Sequence, residues 1–271
     1  MKIIKLFFQL LKVLLVRPVP LLKNIMQFLI VDEKQKEAAS YGFDKGFPTV
    51  DVTQIVGQLD VTVNNFTFLD LTSQLTDIAL LKLLAGKFDH CDYLEIGSWR
   101  GESIVNVAEN AGECSSLSLS KDEMRAMGYS EAIIKTEGYF LRDNEQIKFF
   151  RENSRNFDFN KLGKKFDLIF VDGDHKYDGV VSDTINVFKL LKNEKSIIVW
   201  HDCGNTYEDV RWEVQAAILK ATPAEKRKYL YRVSNSLCGI FIRENLKAEF
   251  KEPYSAPDKI FEVHIKSHSI K

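Results

Sequence analysis

At 271 residues, with 45% hydrophobic and 28% charged residues, the chain can bury one sizeable α/β core and carry extensions besides. Its formal charge of −1, with no basic patch interleaved with aromatics, excludes a general attraction to nucleic acid. Cys91, Cys114, Cys203 and Cys238 are scattered with no Cys-x-x-Cys pair, which excludes a structural zinc or disulfide framework and leads to the expectation of a reducing, cytoplasmic compartment.

Residues 1–31 read as an amphipathic helical segment. Lys2, Lys5, Gln9 and Lys12 recur at helical spacing, leaving Ile3, Ile4, Phe7, Phe8, Leu10, Leu11, Leu14 and Leu15 over the rest of the circumference. Arg17-Pro18-Val19-Pro20 breaks the pattern, and Leu21 to Ile30 repeats it with Lys23, Asn24 and Gln27 as the polar side. Lysines interrupt each apolar run, so a membrane span is not expected, and no small-residue cleavage site marks a signal peptide. Two readings remain: an in-plane anchor on an anionic bilayer at the inner face of a membrane, or a helical pair packed on its own domain or on a second copy.

Residues 32–71 read as a linker or lid, with turns at Gly42, Gly46, Pro48 and Gly57 and a short strand at Val61 to Phe68. Thr72 or Ser73 can cap a helix carrying Ile78, Leu81, Leu84 and Ala85 at helical spacing, which opens the main domain at 72–245. A buried strand follows at Tyr93, Leu94 and Ile96 and ends in Gly97-Ser98-Trp99-Arg100-Gly101 before a helix from Glu102 to Glu109. The glycines let the backbone turn sharply and approach a ligand, and Glu95 sits at the carboxyl edge of the sheet, where open α/β folds bind ligands. Trp99 stands where the dinucleotide fingerprint needs its middle glycine, so a bound NAD pyrophosphate is not expected.

Farther along, Cys114 to Leu119 reads as a strand ending near Ser118, residues 121–146 as a helical insertion, and Ile147 to Arg151 as a third strand followed by Asn153 and Ser154. Phe166 to Val171 is a buried strand that delivers Asp172, Gly173, Asp174 and His175 at its carboxyl end. A helix with Val181, Ile185, Phe188 and Leu191 on one face leads to the strand Ser196 to Trp200, which ends in His201 and Asp202. In a parallel sheet these two ends lie side by side and bring Asp172, His175, His201 and Asp202 into one pocket. A helix from about Tyr207 to Lys220 and an antiparallel hairpin, Tyr229 to Val233 with Leu237 to Ile242, close the domain, and 246–271 reads as a tail.

Glu-Ile-Gly-Ser-Trp-Arg-Gly, Asp-Leu-Ile-Phe-Val-Asp-Gly-Asp-His and Ile-Ile-Val-Trp-His-Asp, in this order and before a terminal hairpin, resemble class I S-adenosylmethionine-dependent methyltransferases, in particular a branch related to metal-assisted sugar and small-molecule O-methyltransferases. The resemblance spans about residues 70–245. It implies a Rossmann-like methyltransferase fold: a mostly parallel sheet with a C-terminal antiparallel hairpin and helices on both faces. It further implies S-adenosylmethionine held by Glu95, Gly97, Ser98, Gly101, Ser118, Asn153, Ser154 and Asp172. A divalent ion, magnesium or manganese, would be held by Asp172, His201 and Asp202, with His175 as the catalytic base. The chain departs from the pattern in two places. Ser118 stands where most relatives place a ribose-binding acid, and His201 replaces a carboxylate, a change that disfavours magnesium. The implied activity is O-methylation of a hydroxylated acceptor such as a glycan, a glycolipid precursor or a small molecule. The alternatives are a non-catalytic interaction or scaffold domain on the same fold, or a metal-dependent oxygenase or lyase.

Overall fold

The structure is a computed structural model that describes residues 18–142, 144–251 and 253–270, together with residues 4, 5, 9, 12, 13 and 16. Of the expected N-terminal apolar positions, Ile3, Phe7, Phe8, Leu10, Leu11, Leu14 and Leu15 lie outside the described residues, as do Lys2 and Arg17.

A nine-stranded sheet runs through the domain in the order β4-β3-β2-β5-β6-β8-β7-β1-β9. The strands are β1 Thr49–Val50, β2 Asp92–Ile96, β3 Glu113–Ser118, β4 Ile147–Arg151, β5 Leu168–Val171, β6 Ile197–Trp200, β7 Leu230–Val233, β8 Gly239–Phe241 and β9 Ala248–Glu249. β4, β3, β2, β5 and β6 are mutually parallel, β8 runs against both β6 and β7, and β9 runs against β1. The expected Rossmann-like arrangement, a mostly parallel sheet with a C-terminal antiparallel hairpin, is the observed one. From β2 the chain winds outward through β3 to β4, then returns to add β5 and β6 on the other side. This reversal opens a crevice outside the carboxyl ends of β2 and β5.

Side-chain alternation along the central strands divides the core in two. Tyr93, Phe170 and Val199 face one layer, with Leu80, Leu81 and Leu84 of helix α3 (Leu75–Ala85) and Ile104 and Val107 of α4 (Glu102–Ala108). Leu94, Ile169 and Trp200 face the other, against Val180 and Val187 of α7 (Tyr177–Lys189), Val214 and Ile218 of α8 (Trp212–Ala221) and Ala38 of α1 (Pro18–Ser40). The remaining helices are short: α2 Val52–Val56, α5 Lys121–Ala126 and α6 Glu131–Thr136.

Several local expectations are corrected. Helix α1 continues without interruption to Ser40, past the boundary expected after residue 31, because Lys34, Glu37 and Ala38 give its last turns a face toward the domain. Val61 to Phe68 forms no strand; its backbone instead runs along α4, where the Asn64 N–H donates to Asn106 Oδ1 at 2.7 Å. Helix α3 starts after Gln74 rather than after Thr72 or Ser73, its first turn closed by the Gln74 N–H donating to Asp77 Oδ2 at 3.0 Å. The fully buried face of α7 is Val180, Asp183, Thr184 and Val187; of the expected face, Val181, Phe188 and Leu191 pack half-buried against the core and Ile185 is exposed. The polar Thr184 turns inward because its hydroxyl accepts from Trp200 Nε1 at 3.0 Å. Helix α8 begins at Trp212, since residues 206–210 are held in a turn by the Thr206 hydroxyl and the Asp209 carboxylate.

Candidate active site

The loop after β2 is shaped by steric exclusion. Gly97 has φ +94°, and a Cβ there would collide with the Asp172 carbonyl, so the β2 and β5 loops touch backbone to backbone only because this residue is glycine. Gly101 has φ +90°, and its Cβ would lie 2.6 Å from a Leu141 methyl. Trp99 between them also takes a positive φ of 34°, and its ring carries the Arg100 guanidinium 4.6 Å from its centroid.

Polar groups around this loop are mutually satisfied. Glu95, the penultimate residue of β2, is fully buried and accepts from the Tyr93 hydroxyl at 2.6 Å and the Ser103 hydroxyl at 2.7 Å. Burial pushes its carboxyl up to about 7 against the pull of those hydroxyls. The Ser98 N–H donates to Ser118 Oγ at 2.9 Å, and the Ser98 and Ser116 hydroxyls meet at 2.7 Å. Ser118 is thus turned back to brace the loop. Past it, Ser120 and Glu123 cap α5 reciprocally, and Glu123 Oε1 accepts from the Asn153 N–H at 3.0 Å, so this carboxylate joins the ends of β3 and β4. The Asn153 side chain accepts from the Arg155 N–H at 3.0 Å, and Ser154 lies beside the buried Asp183, whose carboxyl burial pushes up to about 6.

Beyond β5 and β6 the site is built from charge. Asp172, His175, His201 and Asp202 come together as the sheet topology requires. His175 Nδ1 stands 2.9 Å from Asp202 Oδ2 and 4.0 Å from Asp172 Oδ1, while 47% of its side chain stays exposed. His201 is held more deeply, with Nδ1 3.2 Å from Asp172 Oδ1 and 3.4 Å from Asp202 Oδ1, and Nε2 3.1 Å from Asp77 Oδ2. Asp202 adopts φ +58° and also receives Arg211 Nη1 at 2.7 Å. The bond from Asp202 holds the His175 imidazole above its ordinary value. For His201, burial opposes the charge and the Asp172 carboxylate more than offsets it. Burial would raise Asp202, but the two histidines hold it well below the carboxylate range.

Two of these residues had escaped the sequence reading. Asp77 is fully buried on α3, accepts from the Leu237 N–H at 3.0 Å and ties α3 to the hairpin turn as well as to His201. An acid inside the apolar run Leu75-Thr76-Asp77-Ile78-Ala79-Leu80-Leu81 was the available signal. Arg211 stands just before α8 and had no comparable signature. Three carboxylates, Asp77, Asp172 and Asp202, therefore face three bases, His175, His201 and Arg211. Both ring nitrogens of His201 are engaged, and the donors that converge on one point are Asp172, His175 and Asp202, whose ligand atoms lie within 4.8 Å of one another. His175 thus stands with two of the three expected ligands, and His201 behind them.

Residues 64–73 run along α4 from its C-terminal end and reach this edge at Thr67 to Ser73. Asn64 Nδ2 donates to Glu109 Oε1 at 3.0 Å, the Thr67 N–H to Glu102 Oε1 at 2.9 Å, and the Ser73 hydroxyl to Asp172 Oδ2 at 3.4 Å. Arg100 pairs with Glu102 at 3.0 Å and reaches Thr72, so the glycine loop itself holds this segment.

Residues 94–203 match the family model described as a methyltransferase domain. An uncharacterized protein of Acanthamoeba polyphaga mimivirus is 27% identical over 144 residues, 50% of this chain; the chain spans 61% of that relative's length. Among solved structures, the SAH-bound Podospora anserina methyltransferase PaMTH1 is similar at 20% identity and TM-score 0.45, covering 66% of this chain and 83% of its own. An O-methyltransferase from Bacillus cereus in complex with SAH is similar at 16% identity and TM-score 0.40, covering 71% and 89%. The family match falls on the part of the sheet whose strand order is the Rossmann-like one that the motif order implied.

Proposed function

We propose that the chain transfers a methyl group from S-adenosylmethionine to a hydroxyl of its acceptor, with His175 as the base. The observation that carries this reading is the contact of the Gly97 loop with the Asp172 backbone, beside a half-exposed histidine oriented by Asp202. Methyl transfer needs an acceptor held in line with an already activated methyl, and a group to take its proton. The glycine loop and the first free N–H groups of α4 supply the floor for the donor, with Ser98 and Gly101 lining it. Ser118, Asn153 and Ser154 border the adenosyl side without a carboxylate of their own, and Glu123, past the end of β3, is already bonded to Ser120 and Asn153. Donor entry requires residues 67–73 to lift away from Glu102 and Asp172.

At the acceptor, the Asp202 carboxylate fixes the His175 ring through Nδ1 and leaves Nε2 to face the incoming hydroxyl. With its imidazole raised by Asp202, His175 takes up a proton readily and is a free base only once deprotonated. His201, fixed between Asp77 and Asp172, places positive charge under the acceptor oxygen. The acceptor class we favour is a glycan, a glycolipid precursor or a small hydroxylated molecule, following the motif resemblance.

One observation favours a metal-assisted second reading: the converging donors of Asp172, His175 and Asp202. One nitrogen and two carboxylates fit manganese better than magnesium, and such an ion would lower the pKa of a bound acceptor hydroxyl. The pairing of Asp202 with Arg211 opposes it by already supplying positive charge.

Calorimetric titration with S-adenosylmethionine and S-adenosylhomocysteine, with and without manganese or magnesium, tests both readings. Micromolar binding of either ligand is expected. Absence of binding in every condition would remove methyl transfer and leave the scaffold reading. Donor binding that is unchanged by metal, with no heat from metal alone, would remove the second reading.

A further inference from the structure

Helix α1 is half docked and half free. Its last turns are fixed to the domain: Ala38 is fully buried, the Lys34 ammonium sits 3.7 Å from the Tyr177 ring centroid, and Glu37 accepts from the Tyr177 hydroxyl. Its earlier turns project from the domain with Val19, Leu22, Ile25, Met26, Phe28 and Leu29 between 43% and 71% exposed. Leu22, Ile25, Met26 and Leu29 follow i, i+3, i+4, i+7 spacing and make one stripe, about 150° round the helix from the face that carries Lys34 and Ala38. A helix can therefore lie on an apolar surface along this stripe without leaving the domain.

Charge identifies that surface. Residues 1–31 contain Lys2, Lys5, Lys12, Arg17 and Lys23 and no Asp or Glu; the first acid is Asp32. A second copy meeting this segment across a two-fold axis would bring two sets of five cations together with no acid to offset them. An anionic lipid surface offers the apolar layer and the opposite charge at once. We propose that residues 1–30 dock this protein on an anionic bilayer, with the Leu22, Ile25, Met26 and Leu29 stripe in the interface and the cations at the headgroups.

The inference stands apart from the methyl-transfer reading but bears on it. Tyr177, which Glu37 and Lys34 grip, is two residues from His175, so the docked helix leads directly into the candidate site loop. A membrane-bound acceptor would meet the site from a fixed direction.

Flotation of the full chain with vesicles tests the proposal, using phosphatidylcholine alone and phosphatidylcholine with about a quarter phosphatidylglycerol. Binding at least about tenfold tighter to the anionic vesicles is expected, weakening as salt rises. Leu22→Glu with Leu29→Glu should abolish flotation, and Lys12→Glu with Lys23→Glu should remove the preference for anionic lipid. An unaltered thermal unfolding midpoint would show that these variants fold. Failure of the full chain to float with anionic vesicles overturns the proposal. So does a dimer in sedimentation velocity that the Leu22→Glu, Leu29→Glu pair converts to monomer while flotation persists.

Discussion

The loop after β2 and the loops after β5 and β6 lie side by side at one sheet edge, and they are built on opposite principles. The first is specified by shape: two glycines with positive φ, no room for a Cβ, and hydroxyls and amides that satisfy one another. The second is specified by charge: three carboxylates against three bases, with one histidine locked on both nitrogens and one left half open. A shape-built loop tolerates almost no change at its glycines, because steric overlap has no graded remedy. A charge-built cluster can lose one member and redistribute, so its substitutions should separate chemistry from folding.

The largest expected effect breaks the first region. Gly97→Ala adds a Cβ against the Asp172 carbonyl at a backbone angle that L residues rarely take. It should cost on the order of 3 kcal/mol or more in stability and remove S-adenosylhomocysteine binding. Chemical denaturation and calorimetry would show it; a near-normal midpoint with intact binding would mean that the two loops do not touch as described.

His175→Ala should act in the opposite way. Turnover is expected to fall by about a hundredfold or more, with S-adenosylhomocysteine affinity and the unfolding midpoint nearly unchanged. Equal turnover would take His175 out of the reaction, and lost donor affinity would move it to the binding floor.

Ser118→Ala sharpens the contrast at the weakest part of the shape-built region. It leaves the buried Ser98 N–H without its acceptor, which should cost about 1 to 2 kcal/mol, and it should loosen donor binding only a few-fold if the hydroxyl mainly braces the loop. A loss of affinity far beyond the loss of stability would instead make Ser118 a direct contact to the ribose.

The smallest effect is a pH dependence with a defined sign. Glu95 and His201 are both raised in the folded protein, so their contributions are fully present below the unfolded values of 4.5 and 6.5. They are lost as pH rises, for Glu95 through about 7 and for His201 through its own raised value. Asp202 is lowered, and its contribution is lost only as pH falls through its folded value. Thermal midpoints should therefore decline from about pH 4.5 upward, with the Glu95 part complete by about pH 7 and the His201 part extending above pH 6.5, and Glu95→Gln should remove the part between about pH 4.5 and 7. A midpoint that rises through this range would contradict the environments described for both groups.

Much of the molecule was legible before any coordinates. The apolar runs at β2, β5 and β6, the glycine turn and the Asp-Gly-Asp-His and His-Asp strand ends place a parallel sheet and its functional edge, because buried strands and glycine turns are local features. Helix faces were harder. On α7 the polar Thr184 turns inward to meet Trp200, a contact between distant segments that no periodicity carries. Residues 61–68 failed as a strand for a similar reason, since α4 offers their backbone Asn106 and Glu102 as partners.

The sequence by itself determined the buried strands in their chain order and which residue types follow them, for these rest on local apolar periodicity and on the conformations that only glycine adopts easily, while the class of fold came through the motif resemblance. Tertiary structure alone decided the roles within that edge. It brought the buried Asp77 from α3 and Arg211 from before α8 onto His201 and Asp202, turned Ser118 back into the loop, and set His175 apart as the exposed imidazole. Those outcomes depend on which charges become neighbours in space and lose water together, a quantity that sequence separation does not encode.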